Sequence, residues 1–286
     1  MNVAIIGTGK IGCDLLVKIM KEPKLNCCLF MGRREQSEGI KFAENFNVRT
    51  STNGISAIDS LDCPIDLIFD ATSASEHLQN QADLLKKSAY LINLTPAKVN
   101  FKCVPTVNVQ DVINHNHISM ITCGGQAVIP IAIALQKASN KVTYLETVVS
   151  ISSKSAGMAT RQNISQYQDI TESGIKIFTN ITAVKSILII NPAMPSIPMQ
   201  ITIYAKTENL NLQVLKDELN SVVNKIKLYA SGYQLLSEPV IDEDRVVIMI
   251  KILGNGDYLP AYAGNLDIIT SAAMRVAKYI LENKYS

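Results

Sequence analysis

Val3-Ala4-Ile5-Ile6-Gly7-Thr8-Gly9-Lys10-Ile11-Gly12 opens the chain and decides how its first half is read. Four apolar residues make a short buried strand, and a full G-x-G-x-x-G follows at once. Ile11, Leu15, Leu16 and Ile19 then recur at helical spacing. In this strand–turn–helix setting the glycines permit a tight turn and a close backbone approach to a pyrophosphate, which then sits at the helix N-terminus. Gly7, Thr8, Gly9, Lys10, Ile11 and Gly12 are therefore candidate cofactor-binding residues. The alternative is a tight βα turn with no ligand.

Working outward, apolar strand signals at 25–31, 65–70, 90–94 and 118–122 alternate with helix signals at 41–46 and 77–87. Such alternation argues for a parallel sheet covered by helices, an α/β class. The pattern then changes. Residues 143–153, 186–190, 199–206, 233–241 and 245–253 read as strands, with Asp242-Glu243-Asp244 as a turn. Helices are expected at 162–171 and 212–228, and an Ala-rich one at 267–281 that packs back on the first domain. Runs of strands with few helices suggest a mixed or antiparallel second sheet.

The end of the second strand should select the cofactor. A NAD site usually places Asp or Glu there, on the ribose hydroxyl. This chain has Met31-Gly32-Arg33-Arg34. Arg33 and Arg34 suit a 2′-phosphate, which favours NADP over NAD. The alternative is two solvated arginines, with Glu35 serving a NAD ribose.

Of six cysteines, one stands out. In Met120-Ile121-Thr122-Cys123-Gly124-Gly125-Gln126-Ala127-Val128-Ile129-Pro130 a strand-like run ends at Cys123, two glycines follow, and a helix begins. The reading puts the thiol on a turn facing a helix N-terminus, whose positive end favours the nucleophilic thiolate. A buried structural thiol is the competing reading. The other five cysteines show neither zinc-ligand spacing nor a disulfide pattern, so no metal site is expected. His115 and His117 read as exposed loop residues, and His77 as a helix start or cap.

Composition bounds the rest. With 286 residues, 47% of them hydrophobic and 18% charged, the chain can bury a large core in two domains. A net charge of +2 gives no reason to expect nucleic acid or an anionic membrane as partner. No run approaches the roughly 20 apolar residues of a membrane span. Met1 leads directly into a strand rather than a signal peptide, so a cytoplasmic location is expected.

The chain resembles the acylating, coenzyme A-dependent acetaldehyde dehydrogenases that often partner 4-hydroxy-2-oxovalerate aldolase. The resemblance rests on Gly7–Gly12, Phe69-Asp70-Ala71-Thr72-Ser73-Ala74, Leu94-Thr95-Pro96-Ala97, Thr122-Cys123-Gly124-Gly125-Gln126-Ala127 and Ser155-Ala156-Gly157. It continues through Asn191-Pro192-Ala193, Gly256-Asp257-Tyr258-Leu259-Pro260 and Tyr262-Ala263-Gly264-Asn265-Leu266-Asp267-Ile268, in family order. It implies a Rossmann dinucleotide-binding domain, at 1–122 and 264–286, plus an α+β catalytic and dimerisation domain of the glyceraldehyde-3-phosphate dehydrogenase type, at 123–263. It implies that Cys123 attacks an aldehyde, carries the acyl group as a thioester and passes it to coenzyme A. It also implies cofactor contacts from Thr72, Ser73, Ser155, Ala156 and Gly157, and Asn265 near the nicotinamide. A homodimer or larger assembly is implied as well. For Asn265 and Asp267 the competing reading is an N-cap of the last helix.

The chain departs from the family pattern in four places, one of them the family's Ser-Ala-Gly-Pro-Gly-Thr-Arg, which here reads Ser155-Ala156-Gly157-Met158-Ala159-Thr160-Arg161. The family's Asn-Pro-Ala-Glu becomes Asn191-Pro192-Ala193-Met194, its Met-Arg-Asp-Thr becomes Met199-Gln200-Ile201-Thr202, and its ribose-binding aspartate becomes Arg34. The resemblance implies that the aspartate of the second motif helps to activate the cysteine. Isoleucine cannot accept a proton, and a more apolar surrounding raises a thiol's pKa. The departures leave two alternatives to an acylating dehydrogenase: a noncatalytic cofactor-binding partner of an aldolase, or an aldehyde dehydrogenase that needs no coenzyme A.

Overall fold

A computed structural model describes residues 1–87 and 89–284, the side chain of Ala159 excepted. The chain divides into two compact units, Met1–Met120 with Thr270–Ser286, and Ile121–Ile269.

The first unit holds β1 (Asn2–Ile6), α1 (Lys10–Met20), β2 (Asn26–Met31), α2 (Glu38–Glu44), β3 (Thr50–Ser51), β4 (Leu67–Asp70), α3 (Ala74–Leu85), β5 (Tyr90–Asn93), β6 (Phe101–Lys102), α4 (Pro105–Asn108) and β7 (His117–Ser119). Its strands form one parallel sheet in the order β3-β2-β1-β4-β5-β7-β6. The order steps out from β1 in both directions, the doubly wound arrangement that opens its ligand crevice at the strands' carboxyl ends. Register places those ends side by side: Ile6 pairs with Met31 and Asp70, and Asp70 with Asn93. Val3, Ala4, Ile5, Leu29, Phe30, Leu67, Ile68 and Phe69 are completely buried, as expected for strands covered on both faces. The Thr270 hydroxyl donates to buried Asp14 of α1 at 2.5 Å, so the end of the last helix belongs to this core.

The second unit holds α5 (Cys123–Ala138), β8 (Lys141–Ser152), α6 (Met158–Gln162), α7 (Ile164–Phe178), β9 (Val184–Asn191), β10 (Met199–Glu208), α8 (Leu212–Lys227), β11 (Tyr233–Leu235), β12 (Val240–Asp242) and β13 (Arg245–Ile252). The final helix, α9 (Gly264–Lys284), starts in it. The sheet order is β11-β13-β10-β8-β9, with β12 also on β13. Only β8–β9 is parallel, so the sheet is mixed. Period-two alternation buries Leu145, Thr147, Val149, Ile201, Ile203, Ile248 and Ile250 on one face, and α5 packs against β8, α7 and α8. Tyr144, Tyr204, Val247 and Met249 on the other face are only partly buried.

Three expectations need correction. The single strand at 233–241 is two short ones. Pro239 lacks an N–H for the ladder, and the chain leaves β13 between Leu235 and Val240. The last helix begins at Gly264, so Asn265 and Asp267 lie in its first turn rather than capping it. α7 runs to Phe178, well past the expected 171, because Tyr167, Ile170, Thr171, Gly174 and Ile175 keep one face buried. Among the described residues no helix is long and apolar enough to cross a membrane, and no cluster of side chains could hold a metal ion.

Candidate active site

In the first unit the glycine loop makes the tight turn that its sequence implied. Gly7 has φ +107°, a backbone region closed to most side chains, and a Cβ there would collide with the Ala71 carbonyl. A Cβ on Gly12 would collide with the Gly7 carbonyl, so strand and helix meet at backbone distance. Gly9 is different: a Cβ there would meet nothing within 4 Å. Gly9 is also the N-cap of α1 and offers no side-chain cap to the first N–H groups of the helix. A pyrophosphate fits that cradle.

Arg33, Thr72 and Ser73 emerge from the same sheet edge as the glycine loop. Arg33 is mostly exposed and pairs with Glu76 of α3 at 3.0 Å, while Arg34 is exposed. Beyond them a hollow of about 420 Å³ is lined by Glu35, Lys41, Glu44 and Thr50–Asn53. Ser73 caps α3 through the Glu76 N–H. The Thr72 hydroxyl and N–H both donate to Asp70, at 2.5 and 3.0 Å.

Asp70 has a second duty that its position in the motif did not reveal. His77 Nδ1 lies 2.7 Å from its carboxylate, and His77 Nε2 lies 3.1 Å from His117 Nε2. His77 is in the first turn of α3, as expected of a helix start, but fully buried, while His117 is half-buried and begins β7 rather than lying in an exposed loop. His115 is exposed, as expected, but stacks on Phe101 at 3.9 Å. With His77 Nδ1–H donating to the carboxylate, Nε2 offers a lone pair and His117 donates to it. Burial, then the neighbouring His77, lowers the His117 pKa from 6.5 to about 4, against a smaller pull from Asp70.

This imidazole is neutral when folded and charges more readily when unfolded. Below pH 6.5 the unfolded chain therefore binds the extra proton, and the stability contributed by His117 is lost as pH falls towards 4. We expect the urea midpoint to drop over that range, and His117→Gln to flatten the drop. An equal pH slope in both proteins would contradict the assignment.

Cys123 belongs to the second unit. The sequence reading placed it on a turn, but it is the first residue of α5. Thr122 is the N-cap, its hydroxyl accepting from the Gly125 N–H at 2.9 Å. The preceding Ile121 has φ +63°, which for a β-branched residue is strained by about 1–3 kcal/mol. It is completely buried, and its Cγ2 would lie 2.8 Å from a Cβ on Gly125 and 3.0 Å from one on Gly174 of α7. Two glycines thus open the slot that keeps Ile121 in this conformation.

The first glycine of the Gly124-Gly125 pair has its own task. A Cβ on Gly124 would collide with the Tyr167 hydroxyl, so its absence lets the phenol reach the start of α5. Cys123 Sγ and Tyr167 Oη are 3.8 Å apart. The Thr122 hydroxyl lies 2.7 Å from that of Thr171, which donates to the Tyr167 carbonyl at 2.6 Å. The thiol does not have the low pKa that its helix N-terminus suggested. Desolvation raises it to about 11 and outweighs the Tyr167 hydrogen bond and the Gly124 and Cys123 backbone groups that lower it. Cys123 still keeps some exposure as a residue, unlike Cys13, Cys27 and Cys103.

Of the remaining candidates, buried Ser155 donates to the Ser152 carbonyl at 2.9 Å as β8 ends, Ala156 is buried, and Gly157 has open space where a Cβ would be. Asn265 is buried, and its Oδ1 has no hydrogen-bond partner among the described residues. A buried amide oxygen left unpaired is costly, so a ligand donor placed there would be favoured. Thus Gly7–Gly12, Arg33, Arg34, Thr72 and Ser73 share the carboxyl edge of the parallel sheet, while Cys123, Ser155–Gly157 and Asn265 belong to the second unit. Sequence reasoning missed Tyr167, which comes from 44 residues along the chain.

Comparison with known proteins finds relatives along the whole chain. Residues 123–260 match the family described as prokaryotic acetaldehyde dehydrogenase, dimerisation. An acetaldehyde dehydrogenase of Pectobacterium atrosepticum is 45% identical over all of this chain and 97% of its own length. That of Spirochaeta aurantia is 43% identical over 97% of this chain and 94% of its own. Among solved structures, aspartate semialdehyde dehydrogenase II of Vibrio cholerae, complexed with ASA, covers 99% of both chains with a TM-score of 0.68 at 12% identity, a likeness of fold.

Proposed function

We propose, since this chain belongs to the acetaldehyde dehydrogenase family, that it interconverts an aldehyde and its acyl-CoA through a thioester on Cys123. The observation that carries the reading is the placement of Cys123 as first residue of α5, with Thr122 capping the helix and Tyr167 at the sulfur.

The Cys123 thiolate adds to the aldehyde carbonyl and forms a thiohemiacetal. The N–H groups of Cys123 and Gly124, at the start of α5, would stabilise the developing oxyanion. A bound nicotinamide supplies the hydride acceptor that makes oxidation of this adduct possible. The resulting thioester on Cys123 is then attacked by the coenzyme A thiol, which takes the acyl group and returns the sulfur. The overall balance is aldehyde, coenzyme A and oxidised dinucleotide to acyl-CoA, reduced dinucleotide and a proton.

The glycine loop, with Gly9 and the uncapped start of α1, would hold the pyrophosphate. Asp70 fixes the Thr72 hydroxyl and N–H at the same edge, and the unpaired Asn265 Oδ1 would accept from the nicotinamide amide. Arg33 and Arg34 would take a 2′-phosphate, Arg33 by exchanging Glu76 for it. The partly buried sheet face of the second unit suits a homodimer, and an aldolase releasing an aldehyde would supply the substrate.

Two measurements test this. Coupled absorbance assays that omit coenzyme A should show no steady turnover; full activity without it would point to a dehydrogenase releasing a free acid. Arg34→Ala should raise KM for NADP about tenfold, the scale of one lost charge-assisted contact, and leave KM for NAD within about twofold. A wild type that prefers NAD would assign the ribose to Glu35, which lines the neighbouring hollow.

A further inference from the structure

The cysteine of this chain sits without the carboxylate that its family pattern places at position 201. Ile201 is buried on the inner face of β10, paired with Val149 of β8 and Ile250 of β13. Two apolar strands therefore flank it. The thiol nevertheless has one polar side chain at its sulfur, the Tyr167 hydroxyl at 3.8 Å. We infer that Tyr167 takes over the activating duty of the missing carboxylate, by donating its hydroxyl hydrogen to the Cys123 thiolate. This rests on Cys123 being the nucleophile proposed above.

The geometry supports a built arrangement rather than a chance approach. Gly124 leaves the room that the phenol oxygen occupies, and any larger residue there would displace it. Tyr167 is itself buried, so its hydroxyl has few partners other than Cys123, the Gly124 backbone and Thr122. The Tyr167 backbone is held as well, because Thr171 donates to its carbonyl and Thr122 is bonded to Thr171. The residue that caps α5 thus also locates the phenol.

The direction of proton movement follows. In the resting thiol, Cys123 S–H donates to Tyr167 Oη. When the sulfur ionises, its proton leaves to solvent, and the phenol turns its own O–H towards the negative sulfur. Tyr167 does not become the base, because burial holds its pKa well above 10. A donor of this kind stabilises the anion without adding a second charge to an apolar site. The groups facing the sulfur are Tyr167 from α7 and the backbone of Cys123 and Gly124 from α5, and no charged side chain contributes among the described residues. Tyr167 is thus a positioning residue acting on the nucleophile.

The test is the pH profile of Cys123 alkylation by iodoacetamide in the full-length protein, read by peptide mass spectrometry without aldehyde or coenzyme A. Tyr167→Phe removes one oxygen and keeps the ring. It should move the Cys123 profile up by about one pH unit, with alkylation about three- to tenfold slower at any pH below the midpoint. The rates at the other cysteines should not change. Site-specific difluorotyrosine at 167, a stronger donor of the same shape, should move the profile down. An unmoved or lowered profile in Tyr167→Phe, at unchanged melting temperature, overturns the inference. An unmoved or raised profile with difluorotyrosine overturns it too. The readout needs no turnover, so it fails or succeeds separately from the proposed reaction.

Discussion

Cys123→Ala should abolish aldehyde- and coenzyme A-dependent turnover, by about 10⁴-fold or more, because removing a covalent nucleophile leaves only binding and oxyanion stabilisation. Its fold should survive. Ile121, Thr122, Gly124 and Gly125 set the start of α5 through contacts that do not involve the sulfur. Dinucleotide binding should survive too, since Gly7–Gly12 lie in the other unit. Steady-state assay and dinucleotide titration of the same preparation check both halves. Loss of turnover with unchanged binding fits a nucleophile. Unchanged turnover would remove Cys123 from the chemistry, and a wild type with no turnover at all would favour a noncatalytic partner of an aldolase.

The second large effect separates folding from binding within one motif. Gly12→Ala places a methyl group against the Gly7 carbonyl, backbone against backbone, where no flexible side chain can give way. It should destabilise the protein by about 2–4 kcal/mol and weaken dinucleotide binding by about 100-fold, because the strand and helix must move apart. Gly9→Ala adds the same methyl group to open space, at φ −80° and ψ −173°, which alanine adopts without strain. Stability should stay within about 0.5 kcal/mol, yet binding should still fall, since the methyl group occupies the pyrophosphate's place. Urea unfolding and fluorescence titration measure the two effects. Unchanged binding in Gly9→Ala would mean that no ligand sits over the start of α1.

What could be read in the sequence was local in origin. The β1–loop–α1 unit was legible because strand, glycine loop and helix are contiguous, and Gly12 answers a backbone constraint within the loop itself. The alternation of strands and helices then implied the parallel sheet. The start of α5 was half legible. Thr122 before Cys123 is an N-cap signal, and it puts the cysteine inside the helix rather than on a turn. The left-handed Ile121 had no signal, since isoleucine disfavours that conformation and only a slot opened by Gly125 and Gly174 sustains it. The high thiol pKa was hidden for a similar reason, because desolvation by the folded chain outweighs the helix N-terminus that the sequence displays. Tyr167 and the Asp70–His77–His117 chain depend on side chains brought together across 44, 7 and 40 residues, which no spacing rule links.

The central claim is that the Cys123 sulfur carries the acyl group. Incubating the protein with acetyl-CoA and no reduced dinucleotide, quenching in acid and mapping peptides by mass spectrometry tests it most directly. The expected result is one acetyl group on the peptide containing Cys123, released by hydroxylamine as a thioester is, and absent from Cys123→Ala. Acetylation found elsewhere, or turnover of acetyl-CoA by a protein whose Cys123 stays unmodified under every quench, would contradict it.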